Sequence, residues 1–272
     1  MKTPFRTLVI VSLLLLISTV QTQAQCTFRN TAFSSGEFLT YNLYYNWKFV
    51  WVKAGTASMY TVGSTREGKK AFRCSLTTRG NERADKMYLM RDTLLCYVGQ
   101  DMSPIYYRKG AKEAKRYTVD EVFYSYPGGK IQVKQHRQHS SGSHTWQTHT
   151  YNDCVYDMLS IFLRARSFNP SNWKQGYILN FPMVDGDSRD NARLQYKGKV
   201  TIKADNGKKY RCLELSFQQQ NKGKFREIVR FFVTDDSNHI PIRLDLNLKF
   251  GAAKAFLVSM KGNRNPLESE VK

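Results

Sequence analysis

The chain has 272 residues, 41% of them apolar and 13% aromatic, with 42 Lys and Arg against 22 Asp and Glu for a net charge of +20. That length accommodates one all-β domain or two smaller ones and a substantial core, and beyond the first 24 residues no run of about 18 apolar residues exists, which excludes a transmembrane helix. The positive balance favours anionic partners such as lipid head groups, lipopolysaccharide phosphates or acidic polymers; because the Lys and Arg are dispersed rather than blocked, it also serves solubility alone.

Residues 1–24 read as a secretory signal peptide. Lys2 and Arg6 make a positive start, Leu8 to Ile17 is an apolar run interrupted only by Ser12, and Thr22 and Ala24 place small residues where a signal peptidase reads. Cleavage is expected after Ala24, leaving residues 25–272 as a single β-rich exported domain. Cys26 follows closely, but Gln25 and Gln23 stand where lipoprotein processing wants a small and a Leu-like residue, so lipidation is not expected.

The stretch GEFLTYNLYYNWKFVWVKAG begins the domain. Leu39, Tyr41, Leu43, Tyr45, Trp47, Phe49 and Trp51 alternate with Thr40, Asn42, Tyr44, Asn46, Lys48 and Val50, which reads as one long strand with a wholly apolar, mostly aromatic face. Such a strand would span about 43 Å and would have to twist and coil. Further strand patterns lie at 57–62, 70–78, 94–98, 115–126, 130–138, 145–151, 195–203, 210–217, 225–233, 242–250 and 255–260. Turn chemistry at Arg66-Glu67-Gly68, Pro127-Gly128-Gly129 and Asp205-Asn206-Gly207 separates them, which argues an antiparallel meander. The segment Asp153 to Arg166 breaks the pattern: Val155, Met158, Leu159 and Phe162 share a helical face, Asn152 or Asp153 can cap the start, and Pro170 lies beyond the end. The expectation is an all-β fold, a single strongly curved antiparallel meander, half-barrel or barrel-like, with one amphipathic helix packed against it.

Candidate sites each carry a plain alternative. The five cysteines, Cys26, Cys74, Cys96, Cys154 and Cys212, leave at least one thiol without an intramolecular partner, and their pairing is not legible. Cys74 reads as a buried small hydrophobe, and Cys154, near a helix start, as a thiol of lowered pKa. His136, His139, His144 and His149 cluster, yet read as a polar hairpin around Ser140 to Ser143 rather than a metal site. Asp185 to Asn191 resembles a calcium loop with Arg189 at a ligand position and Tyr196 where the closing Glu belongs, so a polar loop is expected. Asp235-Asp236 reads as a turn before Ile240-Pro241. Glu37 and Asp157, beside apolar runs, read as structural partners for an Arg such as Arg164 or Arg243. No nucleophile elbow, HExxH or phosphate loop occurs. No enzyme, metal, cofactor or nucleic-acid partner is therefore expected.

Gly36-Glu37-x-Leu39-x-Tyr41 with Ala54-Gly55-x-Ala57, the block Tyr156-Asp157-Met158-Leu159-Ser160-x-Phe162-x-x-x-Arg166, and the closing Asp235-Asp236-x-x-x-Ile240-Pro241-Ile242 with Phe250-Gly251-x-Ala253-x-Ala255 resemble, in that order, the domain-of-unknown-function 3108 family of Gram-negative exported proteins. The closing pattern is more distantly similar to periplasmic lipoprotein-carrier half-barrels, whose curved sheet half-encloses an apolar cavity. The resemblance implies an exported envelope or periplasmic protein and no assigned activity. From the residues, two readings of the aromatic stripe stand side by side, solid core and ligand cavity. The functional expectation is a non-catalytic envelope protein binding a hydrophobic, lipid-like or lipoprotein-like ligand, lined by Leu43, Tyr45, Trp47, Phe49, Trp51, Val155, Leu159 and Phe162. The alternative is an interaction protein that presents its basic surface to an anionic envelope component. A membrane-spanning barrel is disfavoured, because segments such as 196–203 look too short or too charged on both faces.

Overall fold

The computed structural model describes residues 26–47, 50–87, 89–248 and 251–272, with the backbone alone for Trp47, Met87 and Met90. The signal-peptide reading of residues 1–24 and the lining residue Phe49 lie outside them.

Alternating apolar and polar residues give β1 (Glu37–Trp47), β2 (Val50–Arg66), β3 (Lys69–Gly80), β4 (Met90–Gly99), β5 (Pro104–Glu113), β6 (Arg116–Ser125), β7 (Ile131–Gln138) and β8 (His144–Tyr151). After a helix at Met158–Ala165 follow β9 (Ile178–Asp185), β10 (Ser188–Lys203), β11 (Lys209–Asn221), β12 (Lys224–Thr234), β13 (Pro241–Asn247), β14 (Ala252–Lys261) and the short β15 (Glu270–Val271). Helix α1 (Glu82–Met87) joins β3 to β4, and α2 spans Met158–Ala165. All strand neighbours are antiparallel, in the order β8 through β1, then β14 down to β9, with β15 added beside β11. The first and last long strands thus pair in the middle of the sheet, Leu43 opposite Ala255, and β8 and β9 become its edges.

The sheet curls until those edges approach, but among the described residues no backbone ladder closes it. Side chains bridge the seam. Gln135 donates to the carbonyls of Gly186 (2.9 Å) and Ser188 (3.1 Å), Arg137 to the Asp187 carboxylate (3.0 Å), and Gln147 to the Asp187 carbonyl. Asp185 to Asn191 is therefore the β9–β10 turn and the start of β10, and the turn fastens the seam. Gly186 has φ +55°, a left-handed conformation that glycine adopts freely, and a Cβ there would push on the ends of the Arg137 and Asp120 side chains, 2.8 and 2.9 Å away. Helix α2 packs against β4, β5 and β9 across the same gap. The main apolar core includes Phe33, Leu39, Tyr41, Tyr107, Val122 and Leu257, with smaller clusters around Leu213 and Leu215 and around Ile161 and Met183.

Two expectations about local structure are corrected. The stretch from Leu39 to Trp51 is not one strand. Trp47 pairs with Val50, Asn46 with Trp51 and Tyr45 with Val52, so the chain reverses and Trp51 lies on the outer face, away from Leu43. The aromatic alternation carries strand propensity, but Lys48-Phe49 holds none of the Gly, Pro or Asn chemistry that announces a turn. The helix begins later than the Asn152 or Asp153 cap implies. Asp157 is the N-cap, its Oδ1 accepting from the Ser160 amide at 2.8 Å. The residues before it are held extended: Cys154 is bonded to Cys26, and Tyr156 makes a parallel bridge to Met183.

Candidate functional site

The lining residues expected from sequence separate in space. Val155 and Leu159 are buried, and Leu43 and Phe162 pack on the main core; Tyr45 is half-buried. These residues face inward. Trp51 is outside, and the side chain of Trp47 is not among the described ones. What the outer face assembles instead is a groove along β2, β1 and β14.

Register builds that groove. On β1, Thr40, Asn42 and Tyr44 point outward; opposite them stand Ser58, Thr56 and Lys53 of β2 and Ser259, Phe256 and Lys254 of β14. Hydroxyl pairs tie the floor, Thr40 to Ser259 at 2.7 Å and Ser58 to Thr77 at 2.9 Å. One cleft of about 390 Å³ opens over Thr40, Asn42, Thr56, Ser58, Thr77, Arg79 and Val258. A second, of about 330 Å³, opens between Tyr44, Trp51, Asp205, Lys254 and Phe256. The halves differ in chemistry. The first is hydroxyl-rich and ends on Arg79, which has no ion pair among the described residues. The second is aromatic: Tyr44 meets Phe256 edge-on at 5.7 Å, and the Lys254 ammonium sits 4.4 Å from the Trp51 ring. Asp205 anchors the junction, accepting from Asn42 and from the Tyr44 hydroxyl, both at 2.8 Å. That bond, with some burial, raises the Tyr44 pKa, so the phenol stays a neutral donor.

The carboxylates singled out from sequence are structural. Glu37 is buried and takes two bonds from Arg166, Nη1 at 2.5 Å and Nη2 at 2.7 Å. Arg166 also donates to the Asn238 carbonyl, and the Arg166 carbonyl is bonded to His239 Nδ1. The partner of Glu37 is thus neither Arg164, which binds the Cys26 carbonyl, nor Arg243, which pairs with Asp245. The pieces of sequence around Glu37, Arg166 and Asp236 to Pro241 meet at one end of the sheet, where Tyr41 donates to the Pro241 carbonyl at 3.0 Å. Asp236 accepts from Thr234 and from the Asn238 amide, the turn expected of it.

Asp157 has no Arg partner. Burial raises its pKa from 3.8 to about 6, against the pull of bonds from Ser160 and Tyr124. The sign follows from proton linkage. Between about pH 4 and 6 the folded carboxyl holds a proton that the unfolded one has lost, so stability falls as pH rises through that window, by about 3 kcal/mol in all. Asp157→Asn keeps the cap and removes the charge. Urea unfolding at pH 4.5 and 7.5 should show a smaller loss for the variant than for the native chain; equal losses would refute the assignment.

Histidine and cysteine chemistry is likewise absorbed. Both ring nitrogens of His136 are used, Nδ1 by Glu121 and Nε2 by His144, each at 2.8 Å. No group of three metal-ligating side chains forms among the described residues. Cys26 and Cys154 form a disulfide, which corrects the reading of Cys154 as a reactive thiol; Cys74, Cys96 and Cys212 are buried.

The architecture is a barrel-like, all-β sheet with an open seam. Residues 40–258 match the family described as protein of unknown function (DUF3108), and the chain belongs to that family. In fold it is similar to a β-barrel-like protein of domain of unknown function DUF1849 from Brucella abortus, with TM-score 0.55, 11% identity, and coverage of 85% of this chain and 98% of that one. A putative lipoprotein from Parabacteroides distasonis aligns over 87% of this chain and 100% of its own at TM-score 0.34 and 11% identity, too low to carry an argument. No curated protein matches the sequence.

Proposed function

We propose that this protein is a non-catalytic binding protein of the cell envelope whose ligand is amphipathic and anionic and lies in the outer groove. The observation that carries this reading is the adjacency, in register along β1, of an aromatic cleft at Tyr44, Trp51 and Phe256 and a hydroxyl-lined cleft ending on the unpaired Arg79. An apolar or ring-bearing part would pack on the aromatics, and an anionic head would meet Arg79. The leader-like residues 1–24 and the disulfide support an oxidising, extracytoplasmic compartment. The non-catalytic reading is supported by the occupation of Glu37, Asp157 and Cys154 in structural bonds.

Mass spectrometry of solvent extracts from protein purified out of its own envelope should release an anionic amphiphile. With dodecyl phosphate as probe, Trp51→Ala and Arg79→Glu should each weaken binding by about tenfold or more, a loss of ~1.4 kcal/mol, while melting stays unchanged because both side chains are exposed. Unaltered affinity in both variants would refute the groove.

A further inference from the structure

The two ends of the curled sheet are not alike. At one end the chain is covered: Arg264 donates to the Asn30 carbonyl, Asn265 to those of Thr31 and Ser237, and the Glu37–Arg166 lock closes the interior. The opposite rim carries the turns β1–β2, β5–β6, β11–β12 and β13–β14, because alternate turns of a meander lie at the same end. Here β1 beside β14 sets two hairpin tips side by side. Their apolar side chains stand in solvent: Val50 is 61% exposed, Val52 42%, Trp51 38% and Leu248 44%. Adjacent turns supply Lys53, Lys115, Arg116, Lys222, Lys224 and Arg226, all exposed and none in an ion pair among the described residues. Acids on this rim are fewer. Asp85 is held by Arg91 and Asp187 by Arg137, and Glu82 and Glu113 also lie at this end.

We propose that this rim is a docking surface for an anionic lipid bilayer, with Val50, Val52, Trp51 and Leu248 entering the head-group layer and the flanking Lys and Arg on lipid phosphates. Two features select that occupant. Cations alone would fit any polyanion, but the protruding apolar tips gain free energy only where an apolar layer receives them. An exposed Trp beside a Lys suits the membrane–water interface, which favours amphipathic rings and basic side chains. Trp51 belongs to both surfaces, but Val50, Val52, Leu248, Lys222 and Lys224 do not line the groove, so variants at these positions test the bilayer contact apart from it.

The test is vesicle flotation of the purified chain. Phosphatidylcholine vesicles containing roughly a third phosphatidylglycerol should carry the protein, neutral vesicles should not, and about 1 M salt should release it by shortening the screening length. Val50→Ser with Leu248→Ser should cut the bound fraction at least about fivefold, as should Lys222→Glu with Lys224→Glu, with melting unchanged in both. Binding lost in the lysine variant but intact in the apolar one would overturn the bilayer and point to a soluble polyanion. Failure of the native chain to float, or equal flotation of every variant, would overturn the docking surface altogether.

Discussion

Glu37→Ala should lose about 3–5 kcal/mol of stability, the cost of leaving one member of a buried ion pair unpaired. Both side chains are almost fully shielded, Glu37 at 1% and Arg166 at 2% exposure, and among the described residues no second carboxylate pairs with Arg166. Its remaining bonds to the Asn238 carbonyl cannot neutralise a full charge away from water. For a chain of this size the midpoint should fall by roughly 10 °C. The pair itself is not thereby net stabilising, because both ions are desolvated on folding. A double replacement, Glu37→Leu with Arg166→Met, should cost clearly less than the two single losses combined. Urea unfolding of the two singles and the double measures this. A single-variant loss below about 1 kcal/mol would mean that water reaches the pair and that the lock does not organise this end of the sheet.

The same lock marks where the sequence was readable. Alternation located most strands, and Asp205-Asn206-Gly207 and Pro127-Gly128-Gly129 fall between consecutive strands, as does Glu67-Gly68 just after Arg66 ends β2, as their turn chemistry requires. The burial of Glu37 and its pairing with an arginine were legible from the apolar residues around it. Which arginine was not, because a contact spanning 129 residues depends on how the meander curls rather than on any local pattern. Local signals also failed where chemistry was ambiguous. β9 contains Pro182, tolerated because this is an edge strand, and β5 contains Gly110 among charged residues, so neither announced itself. The groove was illegible for a related reason: it depends on the reversal at Trp47 and Val50, which turns Trp51 from the presumed inner stripe to the outer face beside Tyr44.

Cys26→Ser with Cys154→Ser should cost about 2–4 kcal/mol, the usual worth of a native cross-link. The bond joins residues 128 apart in sequence, with Cα atoms 5.3 Å apart, and in the chain-entropy account a loop of that length is worth about 5 kcal/mol. The expected loss is smaller because other bonds hold the same segment. Arg164 donates to the Cys26 carbonyl at 2.7 Å, Phe28 to that of Asp101 at 2.6 Å, and Asn30 caps the turn that buries Phe33. The bond also acts locally: it fixes Cys154 three residues ahead of the Asp157 cap and so sets where α2 starts and how it seals the seam. Cys26 is buried at 1% exposure and Cys154 is half-buried, so reductant should act more slowly on the folded protein than in urea. Guanidinium unfolding of the oxidised chain and of the double variant gives the difference directly. A loss under about 1 kcal/mol would assign the N-terminal segment to its hydrogen bonds; a loss near 4 would make the cross-link the principal restraint on the helix that covers the open seam.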